Sequence, residues 1–325
     1  MLRATIFRKV SISGRNKRKI PGRKPEGMAA CLLPYQDDGT IAGQAFQEAV
    51  RRTEDAGLKC AVNMDTGYAN YLTERERTQV LSWTREVLTE GQPFVGGVFV
   101  EGLEGDLLDL YRKGADEVVE FGGTPILFQT TRFHDWPAEK IVELYAEICE
   151  PYDSVLGFEL GKMFAPNGMI YSEEVIRGLM AIPALKGIKH SSLSRGGELK
   201  RLALRDEMRP DFRIYTGNDL GIDMIEYGSD YLLGLAAFCP EKFAERDRLW
   251  AEGNEDYYKL SDALQYLGNV AFREAVPSYK HSCAVFQNLL GRIPSNEPHP
   301  LCPRRPAWEV EIMADCAHRL SYDIS

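Results

Sequence analysis

From residue 27 onward one rhythm runs along the chain: a short apolar run, a turn, then a segment whose apolar residues recur at helical spacing. The apolar runs are MAACLL (28–33), KCAVNM (59–64), FVGGVFV (94–100), EVVEF (117–121), SVLGFEL (154–160), LKGIK (185–189), FRIYTG (212–217) and DYLLGLA (230–236). Runs with so little polar alternation suit strands buried on both faces, as in a parallel sheet. Between them, residues 43–56 set Phe46, Ala49 and Val50 on one face, with Gly57 to close the C-terminus. Thr73 and Glu76 spell a capping box ahead of Val80, Leu81, Val87 and Leu88, and Gly91 ends that stretch. Pro137 opens a helix carrying Ile141, Leu144, Tyr145 and Ile148, and Ser172 caps one carrying Val175, Ile176 and Leu179. Eight such runs alternating with helices predict an α/β fold, a single (β/α)8 TIM barrel. Beyond Pro240 the strand pattern stops. Residues 241–290 read as helices and a Pro-rich tail follows. The chain thus divides into a basic N-terminal extension (1–26), the barrel (27–240), and a C-terminal helical extension with its tail (241–325).

In such a barrel the active site lies at the C-terminal ends of the strands. That rule selects Pro34–Tyr35, Asp65–Thr66–Gly67, Glu101, Glu120, Glu159, Lys189–His190, Thr216–Asn218 and Gly234. Lys189 stands out, because GIKHSS sets an ammonium group where a buried strand opens into a loop. Either it is an ordinary surface lysine, or it is an amine in a partly dry pocket whose lowered pKa lets it attack a carbonyl. Lys186, on the opposite face of the same run, reads as exposed.

With 44% hydrophobic and 27% charged residues, the composition is that of a soluble globular protein. The seven cysteines show no CxxC spacing, and Cys31, Cys60 and Cys149 read as small buried hydrophobes of a reducing compartment. No run of about 18 apolar residues and no hydrophobic signal core is present, so a cytoplasmic protein is expected, without a membrane partner. Residues 1–26 hold nine Lys or Arg and one acid, Glu26, leaving 30 basic against 47 acidic side chains, a net of −17, for the body. A body so acidic argues against nucleic acid as a partner, and the basic start reads as a surface-wrapping extension that partly offsets it.

Several stretches, in order, resemble the family of dihydrodipicolinate synthase and N-acetylneuraminate lyase, the pyruvate-type class I aldolases. LLPYQDDGTI (32–41) resembles the family's TPF…DG opening, and MDTGYANYLTERER (64–77) its GTTGE with the following helix start. GIKHSS (187–192) is similar to the stretch holding the Schiff-base lysine. FRIYTGNDLGIDMIEYGSDYLLGLAAFCP (212–240) resembles the G-x-D and G-x-x-G-x-x-S segments, and VPSYK (276–280) the C-terminal helix motif. The resemblance spans about residues 27–305. It implies that Lys189 condenses with the ketone of a small 2-oxo acid, pyruvate or one derived from a sugar acid. It further implies that Thr66 and the amide of Gly67 hold the carboxylate, that Phe158 and Gly234 line the substrate site, that no cofactor is needed, and that the chain forms a homotetramer or homodimer. Phe243, Leu249, Trp250, Tyr257, Leu260, Leu264, Tyr266 and Leu267, more apolar surface than a closed barrel needs, are the expected subunit contacts.

The departures matter as much. Where the family has a proton-shuttling tyrosine at the end of the fifth strand, GFELGKMF has Phe158, with Glu159 beside it. Asp65 replaces the first threonine of GTTGE and Tyr68 its glutamate, FGGTPILF lacks tyrosine, and no arginine for a distal carboxylate is evident, although Lys162 lies nearby. Either Asp65 or Glu159 has taken over the proton transfers, or the lysine remains and the chemistry is lost. Two further readings stay open. One is a carboxylate- or metal-based sugar isomerase or dehydratase using Asp65, Glu101, Glu120, Glu159 and His190, although no metal-ligand spacing supports a metal site. The other is a catalytically idle, ligand-sensing barrel. Lys280 reads as a packing or oligomer-contact residue.

Overall fold

The computed structural model describes residues 18–324. Eight strands, β1 (Gly27–Ala30), β2 (Lys59–Val62), β3 (Phe94–Val98), β4 (Gly123–Leu127), β5 (Val155–Leu160), β6 (Leu185–Ser191), β7 (Arg213–Thr216) and β8 (Asp230–Leu233), close into a parallel barrel in chain order. The barrel seals where β8 pairs with β1, Gly27 opposite Tyr231 and Ala29 opposite Leu233. The connecting helices are α1 (Gly43–Asp55), α2 (Glu74–Val87), α3 (Leu107–Glu120), α4 (Ala138–Cys149), α5 (Glu173–Met180) and α6 (Arg195–Met208). The local signals act as their chemistry dictates. Thr73 and Glu76 form the reciprocal capping box of α2, and the Ser172 hydroxyl accepts from Val175 N at 3.2 Å to start α5.

One expected strand is a helix end. EVVEF (117–121) is the last turn of α3, and the fourth strand is GTPIL, so Glu120 is an exposed helical residue away from the mouth. The physical reason is periodicity. Leu107, Tyr111, Ala115 and Val118 form one buried helical stripe, which outweighs the β-branched pair Val118–Val119. Pro125, which reads against a central strand, is accommodated opposite Gly96.

The two faces of the strands make two cores. Met28, Ala30, Val95, Ile126, Leu156, Phe158 and Tyr215 fill the barrel interior, while Ala29, Phe94, Val98, Leu127, Ile188 and Ile214 belong to the larger core under the helices.

After the barrel come α7 (Pro240–Glu252), α8 (Asp256–Ala271), α9 (Tyr279–Leu289) and, within the tail, α10 (Glu309–Arg319). The expectation of surplus apolar surface there is corrected. Phe243, Leu249, Trp250, Tyr257, Leu264 and Leu267 are buried within the chain, Leu260 is half-buried, and Tyr266 alone of the eight is exposed. They pack against one another and against the barrel; Trp250 meets Tyr257 at 4.9 Å between centroids, for example. The tail is tied down by Arg305, whose guanidinium donates to the carbonyls of Ala271, Arg273 and Glu274 at 2.8–2.9 Å. Among the described residues no helix is long and apolar enough to cross a membrane.

Residues 1–17 of the basic extension lie outside the described residues. Residues 18–26 run along the base of β7 and β8. There the amide of Ile20 donates to Glu226 O at 2.8 Å, and Arg18 pairs with Asp206 at 2.7 Å. Arg23 reaches the buried Asp230 at 2.7 Å and also donates to Ser229 O. Asp230 is 1% exposed, and among the described residues its other cation is Arg213, 2.8 Å away. Arg23→Ala is therefore expected to lower unfolding free energy by about 1–3 kcal/mol, as for a hydrogen-bonded charge left under-compensated. Urea denaturation checks this, and an unchanged midpoint would mean Arg213 alone suffices.

Candidate active site

Alternation along β6 turns Gly187, Lys189 and Ser191 toward the barrel axis, and Ile188 and His190 toward the helices. Lys189 is only 6% exposed, and its Nζ lies 4.3 Å from the ring centre of Phe158 on the neighbouring strand. The side chain passes close over Gly217, where a Cβ would come within 2.8 Å of Lys189 Cε and 2.0 Å of Ser191 Oγ. A side chain at 217 would push the lysine off its course. Burial lowers the Lys189 pKa to about 8, against the opposing pull of Asp219 and Asp65. Asp219, just beyond β7, is itself buried, and burial raises its pKa to about 7 despite the Leu235 N–H at 2.8 Å and the charge of Lys189. The amine and this carboxyl act on each other through their charges, each pulling the other towards its ionised form.

The second half of the site comes from the turn after β2 and from α9. Met64 leads into a single 3₁₀ turn, Asp65–Gly67. Tyr279, at the start of α9, lies 2.9 Å from Asp65 Oδ2 and 2.9 Å from Thr66 Oγ1. A carboxylate only accepts, so the phenol donates to Asp65 and the Thr66 hydroxyl donates to the phenol oxygen. Burial, with the Asp65 charge, holds the Tyr279 pKa well above 10, so the phenol keeps its proton. Gly234 leaves room for this pair, since a Cβ there would lie 2.9 Å from the Tyr279 ring and 3.1 Å from Thr66 Oγ1. The Tyr279 ring stacks on Phe272 at 4.2 Å between centroids. Lys280 Nζ donates to Asp65 Oδ1 at 3.1 Å inside a box of aromatic rings, 5.6 Å from Tyr68, 5.9 Å from Tyr71 and 5.7 Å from Tyr279. His299 of the tail closes that box, stacked on Tyr71 at 4.9 Å.

The expected site residues thus divide. Lys189, Asp65, Thr66, Phe158 and Gly234 gather at the mouth. The amide of Gly67, expected to hold a carboxylate, instead donates to Met64 O at 3.0 Å within the 3₁₀ turn. Glu159 is corrected outright, because it lies on the outer face of β5 rather than at the mouth. It is 0% exposed, bound by His190 Nδ1 at 2.5 Å, by Arg201 Nε at 2.9 Å and Nη2 at 3.0 Å, and by Tyr171 N at 2.8 Å. Period-two alternation makes this unavoidable: with Phe158 facing in, Glu159 faces out. Burial works against the carboxylate, but the hydrogen bonds and charges of His190 and Arg201 outweigh it and hold its pKa below the usual 4.5. Glu101 accepts from Thr130 Oγ1 at 2.6 Å and from Thr131 N at 2.8 Å, pinning the loop after β4. Of the four carboxylates invoked for an isomerase, only Asp65 faces the site. Among the described residues no three His, Cys, Asp or Glu side chains come together to hold a metal. Lys162 is exposed on the loop after β5.

Sequence reasoning missed Asp219, Tyr279 and the role of Lys280. Signals for all three were present, Asp219 in the G-x-D of TGNDLG and the other two in VPSYK. Nothing in the pattern of α9, however, says that its first residue enters a barrel mouth more than 200 positions away in the chain.

The chain matches no protein-family model, and no curated protein matches it. Its fold is similar to that of dihydrodipicolinate synthase from Thermotoga maritima, with a TM-score of 0.79 over 92% of this chain and 99% of that one, at 18% identity. The enzyme of the same name from Agrobacterium tumefaciens gives 0.77 over 91% and 98%, at 20% identity. A prophage protein of the dihydrodipicolinic acid synthase family from E. coli K12, solved in complex with pyruvate, gives 0.78 over 91% and 98%, at 11% identity. These likenesses establish the barrel and its C-terminal helices over the length of the chain.

The buried Glu159 cluster yields a prediction with a pH signature. Glu159→Gln leaves Arg201 uncompensated and is expected to cost about 3–5 kcal/mol at pH 7. A depressed folded-state pKa stabilises above the unfolded value, near 4.5, and that contribution drains away as the pH falls through the lower folded value. The gap between wild type and variant in chemical denaturation should therefore narrow below pH 4.5. A gap independent of pH would assign the cost to packing instead.

Proposed function

We propose that this protein is a divergent member of the dihydrodipicolinate synthase family, a class I aldolase-type lyase or synthase acting on a small 2-oxo acid through a Schiff base on Lys189. The observation that carries the proposal is an amine buried on the sixth strand of a barrel with this fold, its pKa brought down to about 8. About a tenth of such an amine is neutral at pH 7, against less than a thousandth of a free lysine.

The neutral amine attacks the ketone carbon, and Asp219 is the adjacent group able to take or return the amine proton. Loss of water from the carbinolamine leaves an iminium, whose positive nitrogen draws in the electron pair of a neighbouring carbon–carbon bond as that bond breaks, or supplies an enamine carbon when it forms. Some group must then move a proton at the carbons next to the iminium. Phe158 has none to give. In this reading the task falls to the Thr66–Tyr279–Asp65 chain, in which the phenol stands in for the family's strand-five tyrosine from a different element. Lys280 holds Asp65 in place, so that the phenol keeps its acceptor. The Thr66 hydroxyl can turn from Tyr279 to a substrate carboxylate, and this exchange would couple carboxylate binding to the state of the relay. Self-association, which the family resemblance implies, would use the exposed side of α8, where Tyr258 and Tyr266 are 52% and 37% exposed.

Pyruvate with borohydride is expected to add one reduced adduct per chain at Lys189, read by intact mass and peptide mapping, and Lys189→Ala should abolish it. The trapping rate should rise with pH through about 8, since only the deprotonated amine attacks. Asp219→Asn removes a charge that holds the amine protonated, so the midpoint of the trapping rate against pH should move to lower pH. Absence of any adduct across pH 6–9 would end the Schiff-base reading and leave the ligand-sensing barrel in its place.

A further inference from the structure

The side of the mouth formed by β3, β4 and β5 is aromatic. At the C-terminal ends of three consecutive strands the inward position is a phenylalanine: Phe99 beyond β3, Phe128 beyond β4 and Phe158 in β5. The rings form a continuous edge-to-face series. Phe158 and Phe128 lie 4.9 Å apart and Phe128 and Phe99 5.5 Å apart, starting 4.3 Å from the Lys189 amine. Burial falls along the series. Phe158 is 0% and Phe128 3% exposed, whereas Phe99 is half-buried, so the wall leads from the lysine outward. Phe164 and Ala165, both half-buried on the loop after β5, pack on the same cluster.

That loop is held by its own hydrogen bonds. The Gln129 side chain accepts from Leu160 N at 3.0 Å and Met169 N at 3.2 Å and donates to Met169 O at 2.6 Å, while Asn167 Nδ2 donates to Gln129 O at 2.7 Å. The Gln129 and Asn167 amides are therefore spent on fastening the loop. A hydroxylated substrate tail laid along the wall would lose water and gain no partner, which costs free energy for each hydroxyl. A flat apolar tail would gain from the same contact.

Building on the Schiff-base proposal, which fixes where the 2-oxo group sits, we infer that the substrate carries an aryl group beyond its 2-oxo acid end. In the cleavage direction a 4-hydroxy-4-aryl-2-oxobutanoate fits. Its C3–C4 bond breaks, the C4 hydroxyl gives up its proton to leave an aromatic aldehyde, and the electron pair passes into the iminium to form the enamine. Protonation at C3 and hydrolysis then release pyruvate. A polyhydroxylated, sugar-derived tail is the poorer match.

The test compares 4-phenyl-2-oxobutanoate with a six-carbon 3-deoxy-2-oxo sugar acid, with pyruvate as reference. In borohydride trapping of the wild type, half-labelling by the aryl acid is expected at a concentration at least about ten-fold below that needed by the sugar acid, as burial of one ring face allows. Calorimetry on Lys189→Ala measures the same preference without the covalent bond and should keep its sign. Phe99→Asn and Phe164→Asn, each checked for fold by circular dichroism, should reduce the aryl-to-sugar ratio several-fold. If no 2-oxo acid labels the wild type, the Schiff-base proposal fails, but calorimetry still decides the wall. An aryl acid that binds Lys189→Ala no better than the sugar acid overturns the inference, whatever the lysine does.

Discussion

The two-residue period of a strand in a closed barrel is the constraint on which the whole site rests. Each inward side chain at the mouth has a neighbour that must face the helices, and the two surroundings could hardly differ more. On β5 and β6 the inward pair is Phe158 and Lys189, and the outward pair, directly behind it, is Glu159 and His190, which are also paired in register. The outward pair is locked by Arg201 and Tyr171 into a fully buried ionic cluster. That cluster clamps the ends of both strands, so the lysine stands on a rigid base. An amine 6% exposed against a phenyl ring loses its hydration, and its pKa falls.

Charge within the mouth is arranged so that this desolvation is not undone. Three ionised carboxylates around Lys189 would hold it as an ammonium ion. Instead Asp65 is matched by Lys280 at 3.1 Å, and Asp219 is buried deeply enough for its own pKa to reach about 7. Glu159 is turned away altogether. Lys280 in turn depends on Tyr68, Tyr71 and Tyr279, whose ring faces stabilise a cation with little water around it. The tail contributes through His299, so the C-terminal extension completes the mouth as well as covering the barrel.

How much of this was legible follows from which forces are local. The barrel was readable because eight buried runs and the capping residues between them are short-range signals. The one misplaced strand arose where a β-branched pair sat on a helical stripe, a conflict that periodicity over all of α3 resolves. Lys189 was readable because a lysine at the end of a buried run conflicts with its surroundings. Glu159 was misassigned because strand-end position was weighed without alternation, although Phe158, one residue earlier, already fixed which way it must point. Asp219 and Tyr279 belong to another kind of miss. Their importance lies in contacts to Lys189 and Asp65, made by segments far apart in the chain, and no local pattern encodes such contacts.

The ring of Phe158 on β5 and the phenol of Tyr279 on α9 divide the mouth between them. A tyrosine at position 158 would bring a hydroxyl into the wall formed by Phe128 and Phe99, and that hydroxyl would need a partner the wall does not offer. With phenylalanine there, the rings of Phe99, Phe128 and Phe158 run unbroken down to the lysine, and Thr66, Tyr279 and Asp65 satisfy one another on the β2 and α9 side. The mouth is thereby divided into a face that can carry protons and a face that can only exclude water. Under the proposed Schiff-base chemistry, a substrate filling both is polar at one end and apolar at the other, with the reacting carbon at the boundary beside Lys189.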